Sequence, residues 1–190
     1  MTGMVQRNRR RLCLRRWTHG AGLSLLGLAL VSLSVVGQGG HVPHAAAQVA
    51  GSPAPAFDLV TLTGEAYSKD SLKGQPTLLM FWAPWCPVCR KELPVLGQFY
   101  KTEKPAKLRV ISIGFADERG NVEAYVKANP DTFVFPTAYD VDNDVSQAFK
   151  INATPTFVLL DQTGTVMVVH RGGGLNQNPQ YQQFLRSLKG

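Results

Sequence analysis

No acidic residue precedes Asp58 in this 190-residue chain, and cysteine occurs only three times. Glycine and proline recur without a period, and 44% of the residues are hydrophobic, which excludes collagen-like, repeat and disordered chains. Six of the 20 basic residues are arginines in the first 47 positions, which leaves 14 basic against 13 acidic side chains. A nearly neutral body does not favour a nucleic-acid partner, and the length suits one domain.

The amino terminus has the pattern of an export element. An arginine-rich stretch is followed by residues 21–37, which carry no charge. Their length lies between that of a signal-peptide core and the roughly 20 residues that span a bilayer, so cleavage and anchoring are both open. Ala45 and Ala47 are small residues of the kind that a signal peptidase accepts, which favours cleavage near Ala47. The predicted segments are a signal peptide or membrane anchor at residues 1–47, a tether at residues 48–55 and a folded domain at residues 56–190.

Two continuous apolar runs, at residues 77–82 and 108–114, predict buried parallel strands. Between them, helical spacing from Cys86 to about Glu103 predicts a helix that Pro94 interrupts. Strands that alternate with helices indicate an α/β fold with a right-handed crossover. The other expected elements are a hairpin at 57–67, a helix at 121–128, an extended piece near 133–137, helical turns near 145–150, strands at 156–160 and 166–169, and a helix at 179–188.

Cys86 and Cys89 form a Cys-x-x-Cys pair where the first buried strand gives way to the helix. This spacing brings the two sulfur atoms within bonding distance, so the pair can cycle between dithiol and disulfide. Unsatisfied N–H groups at a helix amino terminus favour the thiolate of Cys86. We therefore expect Cys86 to be an exposed nucleophile and Cys89 to resolve the intermediate. Pro87 removes one donor beside Cys86 and rigidifies the turn.

Other uses of the cysteine pair fit the sequence less well. Zinc needs four ligands, whereas the folded domain offers two cysteines and His170. Covalent haem attachment requires a histidine at the position of Arg90. A structural disulfide that closes so small a loop would constrain the unfolded chain little.

Three stretches carry a resemblance to a known family. They are Trp-Ala-Pro-Trp-Cys-Pro-Val-Cys at 82–89, Arg-Lys-Glu-Leu-Pro at 90–94 and Ala-Thr-Pro-Thr-Phe at 153–157. Together they resemble the thioredoxin superfamily, and more narrowly the exported TlpA/ResA-like thiol-disulfide oxidoreductases, some of which serve cytochrome c maturation. The resemblance spans roughly residues 53–190. It implies a thioredoxin-like fold with an N-terminal β-hairpin and a central β-α insertion within residues 115–153.

The resemblance also implies roles for residues near the cysteines. Pro155 is expected to be a cis-proline beside the disulfide, and Thr154 is expected to supply backbone groups for a bound substrate strand. We assign Trp85, Pro87, Thr154 and Pro155 to substrate binding, with Trp85 as an apolar rim. Glu92 lies three positions after Cys89, on the same helix face, and is predicted to accept the Cys89 proton.

The function implied by the resemblance is exchange of disulfides in exported client proteins through a mixed disulfide. Reduction is the favoured direction, apocytochrome c is a candidate client, and a membrane protein is the expected electron donor. The location is then periplasmic or otherwise extracytoplasmic, and we expect neither cofactor nor metal. The alternatives are a disulfide-forming oxidant and a copper-binding assembly factor that uses Cys86, Cys89 and His170. A peroxidase is disfavoured because peroxiredoxins have a threonine where this chain has Ala83.

Overall fold

A computed structural model describes residues 50–189 of the chain. The predicted signal peptide or anchor at residues 1–47 lies outside the described residues. Within residues 50–189, every helix is too short or too polar to cross a membrane.

Within residues 50–189, seven strands form two sheets, and the larger sheet confirms the predicted α/β class. The strands are β1 (Asp58–Val60), β2 (Ala66–Ser68), β3 (Thr77–Trp82), β4 (Arg109–Gly114), β5 (Thr137–Tyr139), β6 (Thr156–Leu160) and β7 (Val166–Arg171). The antiparallel pair β1–β2 is the predicted hairpin. The other five strands form one sheet in the order β5-β4-β3-β6-β7.

Strand β3 is the centre of the large sheet. It pairs in parallel with β4 and antiparallel with β6, and all six of its residues are buried. Apolar side chains on both faces explain its continuous apolar sequence, because each face packs against a separate core. Leu78, Met80 and Trp82 enter one core cluster, and Leu79 and Phe81 enter the other.

Four α-helices accompany the strands in the described part of the chain. They are α1 (Pro87–Thr102), α2 (Arg119–Ala128), α3 (Asp144–Ala148) and α4 (Pro179–Lys189). Pro87 occupies the first turn of α1, where a missing N–H costs nothing. The helix continues through Pro94, which the sequence predicted as an interruption. Cys89, Leu93 and Leu96 form its buried stripe.

The segment between β4 and β6 contains α2, β5 and α3, as the β-α insertion requires. Its strand lies at Thr137–Tyr139, where it pairs in parallel with β4, rather than at the predicted residues 133–137. Pro136 has no N–H to donate to a ladder, so regular pairing begins after it. Phe133 packs instead against Trp82, with ring centroids 5.1 Å apart.

Residues 51–54, assigned to the tether from sequence, are packed against the domain. The N–H of Gly51 donates to the carbonyl oxygen of Val166 at 2.7 Å, and the N–H of Ala54 donates to that of Gly164 at 2.9 Å. Ala54 is buried. Backbone groups along the edge of β7 find partners in this way, so the packed part of the chain starts before residue 56.

Candidate active site

Cys86 and Cys89 lie where the chain leaves the carboxyl end of β3 and enters α1. They are joined by a disulfide, with their Cα atoms 5.2 Å apart. Cys86 caps α1, because its Sγ accepts a hydrogen bond from the N–H of Cys89 at 3.1 Å. The Cys86 sulfur therefore sits at the positive end of the helix, where a thiolate is stabilised.

Both cysteines are buried in the disulfide form. Cys86 is 3% exposed and Cys89 is 0% exposed, so the prediction that Cys86 is an exposed residue is wrong for this state. The segment before β6 covers it, since the carbonyl oxygen of Thr154 lies 3.5 Å from Cys86 Sγ. Cys86 remains the less enclosed of the two residues, which suits the predicted nucleophile.

The Thr154–Pro155 peptide bond is cis and faces the disulfide, as the resemblance implies. The hydroxyl of Thr154 is 3.1 Å from Cys89 Sγ and donates to it, because a disulfide sulfur carries no hydrogen. Thr154 therefore touches both sulfurs, one through its carbonyl oxygen and one through its hydroxyl. Pro155 itself is buried.

Trp85 forms one wall of the site. Its side chain is 54% exposed, and its Nε1 donates to the carbonyl oxygen of Ala116 at 2.9 Å. Ala116 has a φ of 54°, and its N–H donates to the Asn143 side chain at 2.8 Å. We call these three residues the Trp85 wall. Val88 is also exposed and extends the apolar surface along α1.

Glu92, one turn after Cys89 on α1, forms a second wall. Its Oε1 accepts a hydrogen bond at 3.0 Å from the N–H of Gly174. Glu92 and the glycine loop, Gly172–Gly174, are called the Glu92 wall below. Glu92 also lines a cavity of about 400 Å³ together with Phe157, Leu175 and Tyr181. Burial, and to a lesser extent Glu103, raise the pKa of Tyr181, so its phenol is neutral at physiological pH.

The contribution of the glycine loop to the site was not predicted from the sequence. Gly172 donates its N–H to the carbonyl oxygen of Pro155 at 2.8 Å, and Gly174 donates to Glu92. A Cβ on Gly173 would lie 2.6 Å from Glu92 Oε1, so any other residue here would displace the Glu92 carboxylate from this position. Three consecutive glycines after a strand were the available signal.

Arg90 supports the turn before the cysteines, a role that was not predicted from the sequence. Its Nε donates to the carbonyl oxygen of Pro84 at 2.7 Å, and its guanidinium lies 5.9 Å from the centre of the Tyr125 ring. Trp82 packs against the same ring and is fully buried, as predicted for a core residue. Pro87 is exposed beside Cys86.

His170 does not join the two cysteines. Its Nε2 is 3.0 Å from the carbonyl oxygen of Gly173, and its Nδ1 is 3.4 Å from the Asn178 amide nitrogen. Across residues 50–189, His, Cys, Asp and Glu side chains form no group of three that could hold a metal ion. The copper-binding alternative therefore finds no third ligand of these four residue types in this part of the chain.

A disulfide at the amino end of a helix, following a central strand and facing a cis-proline, defines a thiol-disulfide oxidoreductase of thioredoxin-like fold. The comparison with known families agrees. The chain belongs to the AhpC/TSA family, whose model matches residues 50–169.

Curated relatives and solved structures carry the resemblance further. The chain is 36% identical to the thioredoxin-like protein YneN of Bacillus subtilis over 124 residues, which are 64% of this chain and 71% of YneN. It is 30% identical to the thiol-disulfide oxidoreductase ResA of the same organism over 122 residues, 64% of this chain and 67% of ResA. The crystal structure of Bacillus subtilis StoA matches with a TM-score of 0.59 at 27% identity, over 72% of this chain and 98% of StoA. The ResA-like character predicted from sequence is confirmed.

Proposed function

We propose that this oxidoreductase reduces disulfides of client proteins outside the cytoplasm, with apocytochrome c as one client. The observation that carries the exchange chemistry is the Cys86–Cys89 disulfide at the amino end of α1, against the Thr154–Pro155 bond. Direction and client rest on the ResA-like character of the chain. The compartment rests on the arginine-rich start and on the uncharged residues 21–37, which would associate with a membrane where they are not cleaved off.

The reaction proceeds in two exchanges. The Cys86 thiolate attacks one sulfur of the client disulfide, which forms a Cys86–client bond and releases the other client sulfur as a thiolate. Cys89 then loses its proton to Glu92 and attacks Cys86 Sγ, which forms the Cys86–Cys89 disulfide and frees the second client sulfur. Two electrons pass to the client, and a membrane donor protein restores the dithiol.

Client binding uses the surface that surrounds Cys86. The exposed ring of Trp85 and the exposed ring of Pro87 offer apolar contact on one side. The backbone of Thr154, which reaches Cys86 Sγ, offers hydrogen-bonding groups to an extended client segment on the other. Pro155 fixes the direction of those groups.

Trapping of clients tests this function. Cys89→Ala leaves Cys86 able to attack but removes the resolving sulfur, so disulfide-linked partners accumulate in the native host and can be identified by mass. Proteins with a cytochrome c haem-binding Cys-x-x-Cys-His motif are expected among them. The matched control is Cys86→Ala with Cys89→Ala, which should trap nothing. Equal recovery with both variants would contradict the mechanism.

The reduction potential tests the direction of exchange. A reductant must lie well below the value of about −120 mV that characterises DsbA, a strong oxidant. Equilibration of the purified protein with glutathione buffers of known potential gives the value directly. A result near that of DsbA would instead establish the alternative of a disulfide-forming oxidant.

A further inference from the structure

The glycine loop connects Pro155, which lies beside the disulfide, with Glu92 on α1. Gly172 binds the carbonyl oxygen of Pro155, and Gly174 binds the carboxylate of Glu92. A Cβ on the middle residue, Gly173, would displace the side chains of Glu92 and Val88. The loop therefore fixes the Glu92 carboxylate only while Gly174 stays in this position.

His170, the residue two positions before the loop, holds it there. His170 Nε2 lies 3.0 Å from the carbonyl oxygen of Gly173. A carbonyl oxygen only accepts, so Nε2 carries the proton. The other ring nitrogen, Nδ1, faces the amide of Asn178 at 3.4 Å.

Asn178 determines which ring nitrogen is the acceptor. Its Oδ1 accepts a hydrogen bond from the N–H of Tyr181 at 3.0 Å, which turns its amide nitrogen toward His170. Nδ1 of His170 is then an acceptor, and the tautomer with hydrogen on Nε2 satisfies both contacts. Beneath the ring, Phe157 is the paired residue on β6, with ring centroids 6.1 Å apart. The imidazole is thus held from β6 and from the start of α4.

We infer that His170 is a positioning residue for resolution by Cys89: its Nε2–H holds Gly173, which keeps the N–H of Gly174 on the carboxylate of Glu92. The inference rests on the proposed role of Glu92 as acceptor of the Cys89 proton. Loss of the His170 hydrogen bond releases the loop, so the carboxylate loses a donor that fixes its position. The attack by Cys86 does not involve Glu92 and is left unchanged.

The two exchange steps can be measured separately. Reduced protein reacts with an excess of a chromogenic aromatic disulfide in a stopped-flow instrument. Attack by Cys86 releases one coloured thiolate at a rate that depends on the disulfide concentration. Attack by Cys89 on the resulting mixed disulfide releases the second thiolate at a rate independent of concentration, and the protein ends as the Cys86–Cys89 disulfide.

His170→Phe removes the ring N–H and retains an aromatic ring over Phe157. We expect the second phase to slow about fivefold, the size of one lost hydrogen bond, while the first phase stays within about twofold of wild type. His170→Gln places an amide N–H near the Nε2 position and should restore most of the second-phase rate. The matched control is Met167→Gln, an exposed residue on the same strand, which should alter neither phase.

Glu92→Gln separates this inference from the function on which it rests. If Glu92→Gln leaves the second phase unchanged, the proposed proton acceptor is wrong. If Glu92→Gln slows it and His170→Phe does not, the positioning role of His170 is overturned. Equal slowing by His170→Phe and His170→Gln overturns it as well, because the Nε2 donor is then irrelevant. In a Glu92→Gln background, His170→Phe should have no further effect on the second phase.

A direct measure of the loop includes Asn178→Ala, a variant that keeps His170 and covers the case in which His170→Phe folds poorly. Hydrogen exchange at the amide of Gly174, read by NMR in the oxidised protein, should be faster in His170→Phe and near the wild-type rate in His170→Gln. Asn178→Ala, which leaves the imidazole in place but removes its second contact, should give an intermediate rate. Unchanged protection of Gly174 in all three variants would refute the inference.

Discussion

The Trp85 wall and the Glu92 wall flank the same disulfide but differ in exposure and in support. The indole of Trp85 is more than half exposed and is anchored by one hydrogen bond to a neighbouring loop. Glu92 is half-buried and is bound by the backbone of the glycine loop, which also reaches Pro155. The first arrangement leaves an apolar face exposed, and the second holds a carboxylate in a fixed position. We therefore expect the two steps of the proposed exchange to depend on different walls.

The largest effect is expected when Glu92 loses its charge. Glu92→Gln should slow resolution by Cys89 about 10- to 100-fold, because general-base assistance is lost. The first attack by Cys86 should be unaffected, and both rates come from the two-phase reaction described above. Glu103→Gln, at the far end of the same cavity, is the control and should leave both phases unchanged. Slowing of the first phase by Glu92→Gln would show that the two walls are not separate.

Trp85→Ala tests the other wall and should act on client binding. Loss of an exposed aromatic anchor is expected to raise KM for a protein client about tenfold. The rate with a small aliphatic disulfide, which lacks the peptide segment of a protein client, should stay near the wild-type value. The matched control is Val60→Ala, an equally exposed apolar residue on the β1–β2 hairpin. A similar loss with both substrates would mean that Trp85 supports the cysteines rather than the client.

A smaller effect is expected from Asn143, which orients the Trp85 wall through Ala116. Asn143 has a φ of 59°, so Asn143→Gly removes the side chain and keeps a backbone conformation that glycine adopts easily. We expect KM for a protein client to rise about threefold, as for one exposed hydrogen bond. Asn143→Asp retains the acceptor oxygen and should behave as wild type. If Asn143→Gly and Asn143→Asp give the same KM, Asn143 does not contribute to client binding.

The smallest effect concerns a turn outside both walls. Burial raises the pKa of Asp161, but hydrogen bonds from Thr163 and the N–H of Thr165 outweigh it and leave that pKa below its ordinary value. This stabilisation is complete above the unfolded pKa of about 3.9 and is lost as the pH falls through the folded pKa. Asp161→Asn should therefore lower Tm at neutral pH, and the difference should close in acid. Thermal unfolding at several pH values measures it, and a difference that widens in acid would contradict the assignment.

The site residues that were predicted from spacing alone lie close together in the chain. Cys86, Cys89 and Pro87 lie within one turn, and a strand followed by a helix is enough to place them. The Thr154–Pro155 pair was predicted because the family resemblance couples it to the cysteines. The central strand was predicted because a short continuous run of apolar residues is typical of a strand that is buried on both faces.

The contacts that support the site could not be predicted in the same way. Glu92 and Gly174 are 82 residues apart, and Trp85 and Ala116 are 31 apart. Such contacts depend on how elements that are distant in the chain pack together. Local sequence patterns do not predict that packing. The shift of β5 has the same origin, since Phe133 joins the aromatic cluster around Trp82 instead of extending the strand. Burial of Cys86 likewise depends on a segment far along the chain.

The two indoles give the protein an internal optical reporter. Of the tryptophans in the described part of the chain, Trp82 is fully enclosed and Trp85 is largely in water, beside the sulfur pair. Trp82 shares a core cluster with Cys86 and Cys89, so both indoles lie near the sulfur pair. A disulfide quenches a nearby excited indole more than two thiols do, so total emission should brighten on reduction and would follow electron transfer into this enzyme without any attached dye.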